Sequence, residues 1–174
     1  MSTSTQAAQV TLPSDREVEV TRSFRAPRAL VYEAYTTPEL MKRWLLGPPG
    51  WSMPVCEMDV REGGRFRWRW RSDEDGTEFG FHGEFLEVDA PALLRSTEFY
   101  DPGDIGGSMG DEPAHVTVRF DESDGITTMT TLIAYESKED RDAAMATGMT
   151  DGMEMSYQLL DRLLAAPPEG EASA

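Results

Sequence analysis

Two histidines and one cysteine are all the nitrogen and sulfur ligands in this chain of 174 residues. That is too few for an all-nitrogen-and-sulfur zinc site within one molecule. Cys56 has no adjacent histidine, and no serine and aspartate assemble convincingly with His82 or His115 into a nucleophile triad. Asp101, Asp104, Asp111 and Glu112 lack the spacing of a calcium-binding EF loop and read as a solvated acidic loop. No phosphate-cradling glycine loop or dinucleotide fingerprint occurs. We expect no catalytic residue, no metal and no cofactor. The chemistry on offer is instead the holding of an apolar molecule. In RFRWRWR (65–71) alternation puts Phe66, Trp68 and Trp70 on one side and four arginines on the other. The following apolar stretch puts Phe79, Phe81 and Phe85 on one side, with Gly83 between the last two, and turns His82 outward. Burying an aromatic ring is worth up to about 4–6 kcal/mol, so the ring side must face inward. The arginines then meet solvent and carboxylates such as Glu57, Asp59, Glu78 and Glu84.

A second apolar surface comes from GMTDGMEMSYQLLDRLL (148–164). Wound as a helix, Met145, Met149, Gly152, Met153, Ser156, Leu160 and Leu163 share an arc of about 120°. Glu154 and Asp161 fall on the far side. A helix packed tightly on a sheet usually spends that arc on Leu, Ile and Val. Met, Gly and Ser leave volume unfilled, and Met repacks readily. Two readings stay open: a gap beneath the helix, or a glycine that lets the helix approach the sheet closely. The candidate lining is Trp44, Trp51, Trp68, Trp70, Phe79, Phe81 and Tyr100, facing Met149, Met153, Ser156 and Tyr157. Plain core packing is the rival role for each. The threonines of ITTMTTLIAY (126–135) could add polar contacts, but parity alone does not choose between Thr127/Thr131 and Thr128/Thr130. An apolar ligand burying about 300 Å² gains roughly 7 kcal/mol, against an association cost of at least about 4 kcal/mol. Selective binding therefore requires polar partners as well.

The elements that must position these residues follow from punctuation and periodicity. EVEVTRSF (17–24) alternates as a strand. Ala26–Thr36 and Thr37–Leu45 follow as two short helices, with Pro27 in the first turn of one, and Thr37 as N-cap and Pro38 next in the other. Five strands, Trp51–Val60, Arg65–Arg71, Thr77–Val88, Leu93–Tyr100 and His115–Phe120, precede a sixth at Ile126–Tyr135, begun by Asp124-Gly125. Short turns between consecutive strands imply an antiparallel meander. The glycine-rich stretch between Tyr100 and His115 reads as a lid or a mobile loop. One long helix is expected from about Lys138 to Ala165. Residues 1–15 and 167–174 read as disordered tails around a single domain, 16–166.

The formal net charge is −16, from 16 basic and 32 acidic residues. Such a surface repels phosphate backbones and anionic membranes, so neither nucleic acid nor a membrane is an expected partner. One cysteine forbids an internal disulfide and fits the cytoplasm. No apolar run approaches the ~18 residues of a membrane span. A monomer or homodimer is expected.

Taken together, VTRSFRAPRALVYEAYTTPELMKRWLLGPPGW, MDVREGGRFRWRW, GFHGEFLEVDAPALLRSTEF and GMTDGMEMSYQLLDRLL resemble the bacterial SRPBCC (START-like) superfamily. Within it they resemble proteins related to the C-terminal domain of the activator of heat-shock protein 90 ATPase. The resemblance spans about Val18 to Ala165. It implies an α+β helix-grip fold: a curved antiparallel sheet wrapped around a long C-terminal helix, with two short helices after the first strand. It also implies a cavity between sheet and helix for a small hydrophobic ligand. The alternatives it implies are a module acting on a chaperone ATPase, and an enzyme of the polyketide cyclase or aromatase type. The enzyme alternative would require an ionisable group inside the cavity with a displaced pKa.

Overall fold

The computed structural model describes residues 7–104 and 112–165. The outer parts of the expected tails, and the middle of the glycine-rich loop with Asp111, lie outside the described residues. The elements run β1 (Gln9–Thr11), β2 (Glu17–Phe24), α1 (Arg28–Thr36), α2 (Pro38–Trp44), β3 (Trp51–Met58), β4 (Arg65–Ser72), β5 (Glu78–Asp89), β6 (Leu93–Asp101), β7 (Ala114–Ser123), β8 (Ile126–Ala134), α3 (Lys138–Ala146) and α4 (Met149–Ala165). The strands form one antiparallel sheet in the order β1-β2-β8-β7-β6-β5-β4-β3. β2 and β3 are successive in sequence yet lie toward opposite edges. α1 and α2 must therefore carry the chain across one face, and that face becomes the core.

Alternation decides which side chains meet there. β2 turns Val18, Val20, Arg22 and Phe24 inward, β4 turns Phe66, Trp68 and Trp70, and β7 turns Ala114, Val116, Val118 and Phe120. β8 resolves the threonine ambiguity: Thr127 and Thr131 are buried beside Met129 and Ile133, while Thr128 and Thr130 face outward. Thr127 Oγ1 donates to the Ala26 carbonyl at 2.6 Å. The outward arginines behave as their parity requires. Arg69 reaches Glu78 at 3.0 Å and Asp101 at 2.7 Å, and exposed His82 stacks on Phe99 across the β5–β6 pair.

Three expectations need correction. Residues 9–11, read as part of a disordered tail, form β1 against β2; a three-residue edge strand carries too little periodicity to be seen. The single terminal helix is two helices. Gly148 adopts φ +79, a left-handed conformation that ends α3 and that residues with a Cβ adopt at a penalty. Pro27 occupies the N-cap position of α1, ahead of the helix and not in its first turn. No helix among the described residues is long and apolar enough to cross a membrane.

α4 buries Ser156 and Leu160 of the expected face but is rotated somewhat toward Tyr157, Glu154 and Asp161. Ser156, Tyr157 and Leu160 are its buried residues, and Glu154 and Asp161 are contact residues, not solvent-facing ones. Both carboxylates bind Arg22 of β2, whose side chain is only 2% exposed: Nε to Glu154 at 3.0 Å and Nη2 to Asp161 at 2.7 Å. A buried guanidinium requires partners more than a Met–Gly stripe requires an apolar floor, so the helix turns toward it. Gly152 is consequently not a point of close approach: a Cβ placed there meets nothing within 4 Å. We predict that Gly152→Ala raises stability by about 1 kcal/mol, the helix-propensity difference, in urea unfolding. A destabilised variant would mean that the helix uses the missing methyl for contact.

Candidate functional site

The eleven residues expected to line a ligand cavity separate into distinct groups. Trp44, Ser156 and Tyr157 close a junction between α2, α4 and β2. Trp44 Nε1 donates to the Ala34 carbonyl at 2.9 Å, and Ser156 Oγ accepts from the Gly47 amide at 2.8 Å. Tyr157 stacks on Trp44 and meets Phe24 edge-on. That region is filled. Burial pushes the Tyr157 hydroxyl up to about 12, with Thr131 and Arg22 opposing.

Trp51, Trp70, Phe79, Phe81 and Tyr100 form a continuous aromatic row on the inner face of β3 to β6. Phe79 stacks on Trp70 and meets Trp51 edge-on, and Phe81 and Tyr100 touch across the β5–β6 pair with centroids 5.4 Å apart. Trp70 Nε1 is anchored on the Leu45 carbonyl at 2.6 Å. The rings of Trp51, Phe79, Phe81 and Tyr100 remain only half-buried. On α4, Met149 and Met153 are likewise half-buried, and Met149 Sδ accepts from the Tyr135 hydroxyl at 3.5 Å.

Trp68 alone of the eleven lines a cavity that described residues form against the sheet. That cavity lies beneath α1, while the Arg22 pair and Tyr157 hold α4 over β2 and α2. Its lining is Tyr35 from α1, Met58 from β3, Phe66 and Trp68 from β4, Phe85 from β5, Leu94, Ser96 and Glu98 from β6, and Val116 and Val118 from β7. Measured as the space open to the centre of a water molecule, it holds ≈ 20 Å³. One water needs about 10–15 Å³ on that measure, so the cavity has room for one or two. The sheet bends here. The β5–β6 register shifts between Phe85 and Glu87, a bulge that increases local curvature. Gly83 permits a close approach nearby: a Cβ there would run into the Thr97 carbonyl and meet the Phe66 ring at 2.8 Å.

Glu98 is the one ionisable carboxyl in that lining. It is half-buried, and desolvation pushes its carboxyl up from 4.5 to about 7. No hydrogen bond or ion pair reaches it among the described residues, and no cationic side chain contributes to its titration. Tyr35 and Tyr135 flank it closely enough to feel its charge, and burial, with Glu98 adding to it, raises both phenols. Trp68 Nε1 is buried beside this cluster with no acceptor among the described residues. Cys56, by contrast, is an inert core thiol that burial pushes up to about 11. No group of three or more His, Cys, Asp or Glu side chains among the described residues is placed to hold a metal.

Ser96 and Glu98 were legible in principle. In LLRSTEFY the inward parity that selects Tyr100 also selects Leu94, Ser96 and Glu98. A glutamate in register with a buried leucine is the informative signal. Tyr35 and Met58 gave no such signal, because their approach depends on how α1 crosses the sheet.

A curved antiparallel sheet folded over helices, with a mainly apolar hollow against it, defines an α+β protein of the helix-grip class. The chain belongs to the family described as Activator of Hsp90 ATPase homolog 1-like protein, whose profile matches residues 25–165. A crystal structure from Rhodobacter sphaeroides is similar at 30% identity and a TM-score of 0.83, covering 92% of this chain and 99% of that one. A Mycobacterium smegmatis crystal structure has the same fold at 23% identity and a TM-score of 0.79, with 95% and 100% coverage. CalU16 from Micromonospora echinospora shares the fold at 21% identity and a TM-score of 0.62, covering 92% of this chain and 87% of that one. No curated protein matches the chain in sequence.

Proposed function

We propose that this protein binds a small, mainly apolar ligand on the inner face of β5 and β6, with one polar end of the ligand seated beside Glu98. The observation that carries this reading is the unpaired Glu98 carboxyl at a cavity, one inward position along β6 from the half-buried Tyr100 ring. Two strand residues span about 6–7 Å, so a molecule lying along the Phe81–Tyr100 rings reaches the cavity with its end. Packed cores do not retain an unpaired carboxyl for stability, since burial without a partner costs several kcal/mol. The apolar body gains from the rings, and the polar end supplies the partner that weak apolar burial requires. Met58 can repack around ligands larger than the present hollow. The lone, buried thiol of Cys56 supports a reducing compartment, and with it the cytoplasm.

Native mass spectrometry of the protein isolated from its own host tests this directly. The expected spectrum carries an adduct of a small organic molecule, absent from a Ser96→Phe variant that fills the hollow. A bare polypeptide mass in the wild type, under conditions that preserve weak complexes, would overturn the proposal.

A further inference from the structure

The charge surrounding Glu98 constrains what the polar end can be. Tyr35 from α1 and Tyr135, immediately after β8, are the titratable groups that face it. Neither supplies positive charge. Residues 1–6, 105–111 and 166–174 contain no Lys, Arg or His, so no basic side chain from outside the described residues can pair with it. Four of the lining residues, Tyr35, Phe66, Trp68 and Phe85, are aromatic. Ring faces attract cations through their quadrupoles, and more strongly once both partners are desolvated. A carboxylate within such a ring-lined hollow complements a cation. The rest of the molecule favours the same sign: a formal charge of −16 concentrates cations and repels anions. The hollow has the volume of one or two waters, and a primary ammonium head is about as large as one water.

Building on the ligand-binding reading above, we infer that the polar end of the ligand is an organic ammonium group seated against the Glu98 carboxylate, its apolar body lying on the Phe81 and Tyr100 rings. An amine with an aryl or short alkyl body is the substrate class this site fits. An anionic ligand would place two like charges within the same enclosure. A neutral carbonyl ligand, which can only accept a hydrogen bond, would need Glu98 protonated and would bind better as the pH falls.

Calorimetric titration with 2-phenylethylammonium and with 2-phenylethanol, which share an apolar body, separates these cases. At about pH 8 Glu98 is charged and Tyr35 and Tyr135 stay neutral. There the ammonium is expected to bind the wild type at least about tenfold more tightly than the alcohol. That preference should fall as the pH is lowered to about 5.5, and should vanish in Glu98→Gln. The pH series on the wild type needs no variant. Equal affinities, or a preference that survives Glu98→Gln, would place the cation on the acidic surface and overturn the inference. Tighter alcohol binding toward low pH would do the same in favour of a neutral ligand, with the binding site itself intact. If neither compound binds, the ligand-binding reading falls with it.

Discussion

Replacing Arg22 with alanine is expected to destabilise the protein by about 3–5 kcal/mol, the range for breaking a buried ion pair from one side. Arg22 stands on the inward face of β2, where its neighbours Val20 and Phe24 are core residues. It is the strongest polar link between the sheet and α4. Its guanidinium binds Glu154 through Nε and Nη2, Asp161 through Nη1 and Nη2, and the Ser23 carbonyl. It also lies 5.0 Å from the Phe24 ring centroid. Burial alone would lower its pKa, but the two carboxylates outweigh that and raise it. Lysine should rescue little, because a single ammonium cannot satisfy two carboxylates in the planar geometry that arginine offers. Removing one carboxylate should cost less than removing the guanidinium, since Arg22 keeps the other. Chemical unfolding of Arg22→Ala, Arg22→Lys and Asp161→Asn checks the order. An Arg22→Ala variant within about 1 kcal/mol of wild type would show that apolar packing, not this pair, seats α4.

Glu98→Gln should have the opposite sign, and its size should depend on pH. Folding raises this carboxyl from 4.5 to about 7, so the native state holds a proton that the unfolded chain releases. Stability attributable to Glu98 is therefore full below about pH 4.5 and is lost as the pH rises through about 7. At about 1.4 kcal/mol per pH unit the loss reaches up to about 3 kcal/mol, less whatever a water in the cavity recovers. Glutamine carries no such charge. Glu98→Gln should match wild type near pH 4 and exceed it by up to about 3 kcal/mol near pH 8. The Arg22 pair acts at the other end of the scale. Burial alone would push Glu154 up, but Arg22, the Ala8 amide and Gln158 hold it below its ordinary 4.5. Its contribution is present above that value and lost as acid protonates it. Wild-type stability should thus peak at mildly acidic pH, and the Glu98→Gln profile should stay flat toward pH 8. Parallel profiles for the two proteins would mean that Glu98 is solvated or paired in the folded state. That outcome would also remove the reason to regard it as a binding group.

Local rules carried most of the architecture. Period-two patterning and turn chemistry located seven of the eight strands and both short helices, because each of these elements buries one face and must say so in its sequence. The same patterning turned Phe66, Trp68 and Trp70 inward and the intervening arginines outward. The side chains that make a site were less accessible. The inward arginine of β2 alternates correctly but says nothing about where its partners lie. Glu154 and Asp161 are 132 and 139 residues away, and helical periodicity assigned them to solvent.

Strand parity, ring burial and charge sign were settled by residue order, because they depend on neighbours one or two positions apart. That a hollow opens beneath α1 was settled only by packing. The buried Arg22 drew α4 over β2 and α2, and this left Glu98 facing Tyr35 across a gap that no segment of the chain displays alone. A carboxyl moves toward neutrality when elements distant in sequence exclude water from it, and a one-dimensional pattern does not contain that enclosure.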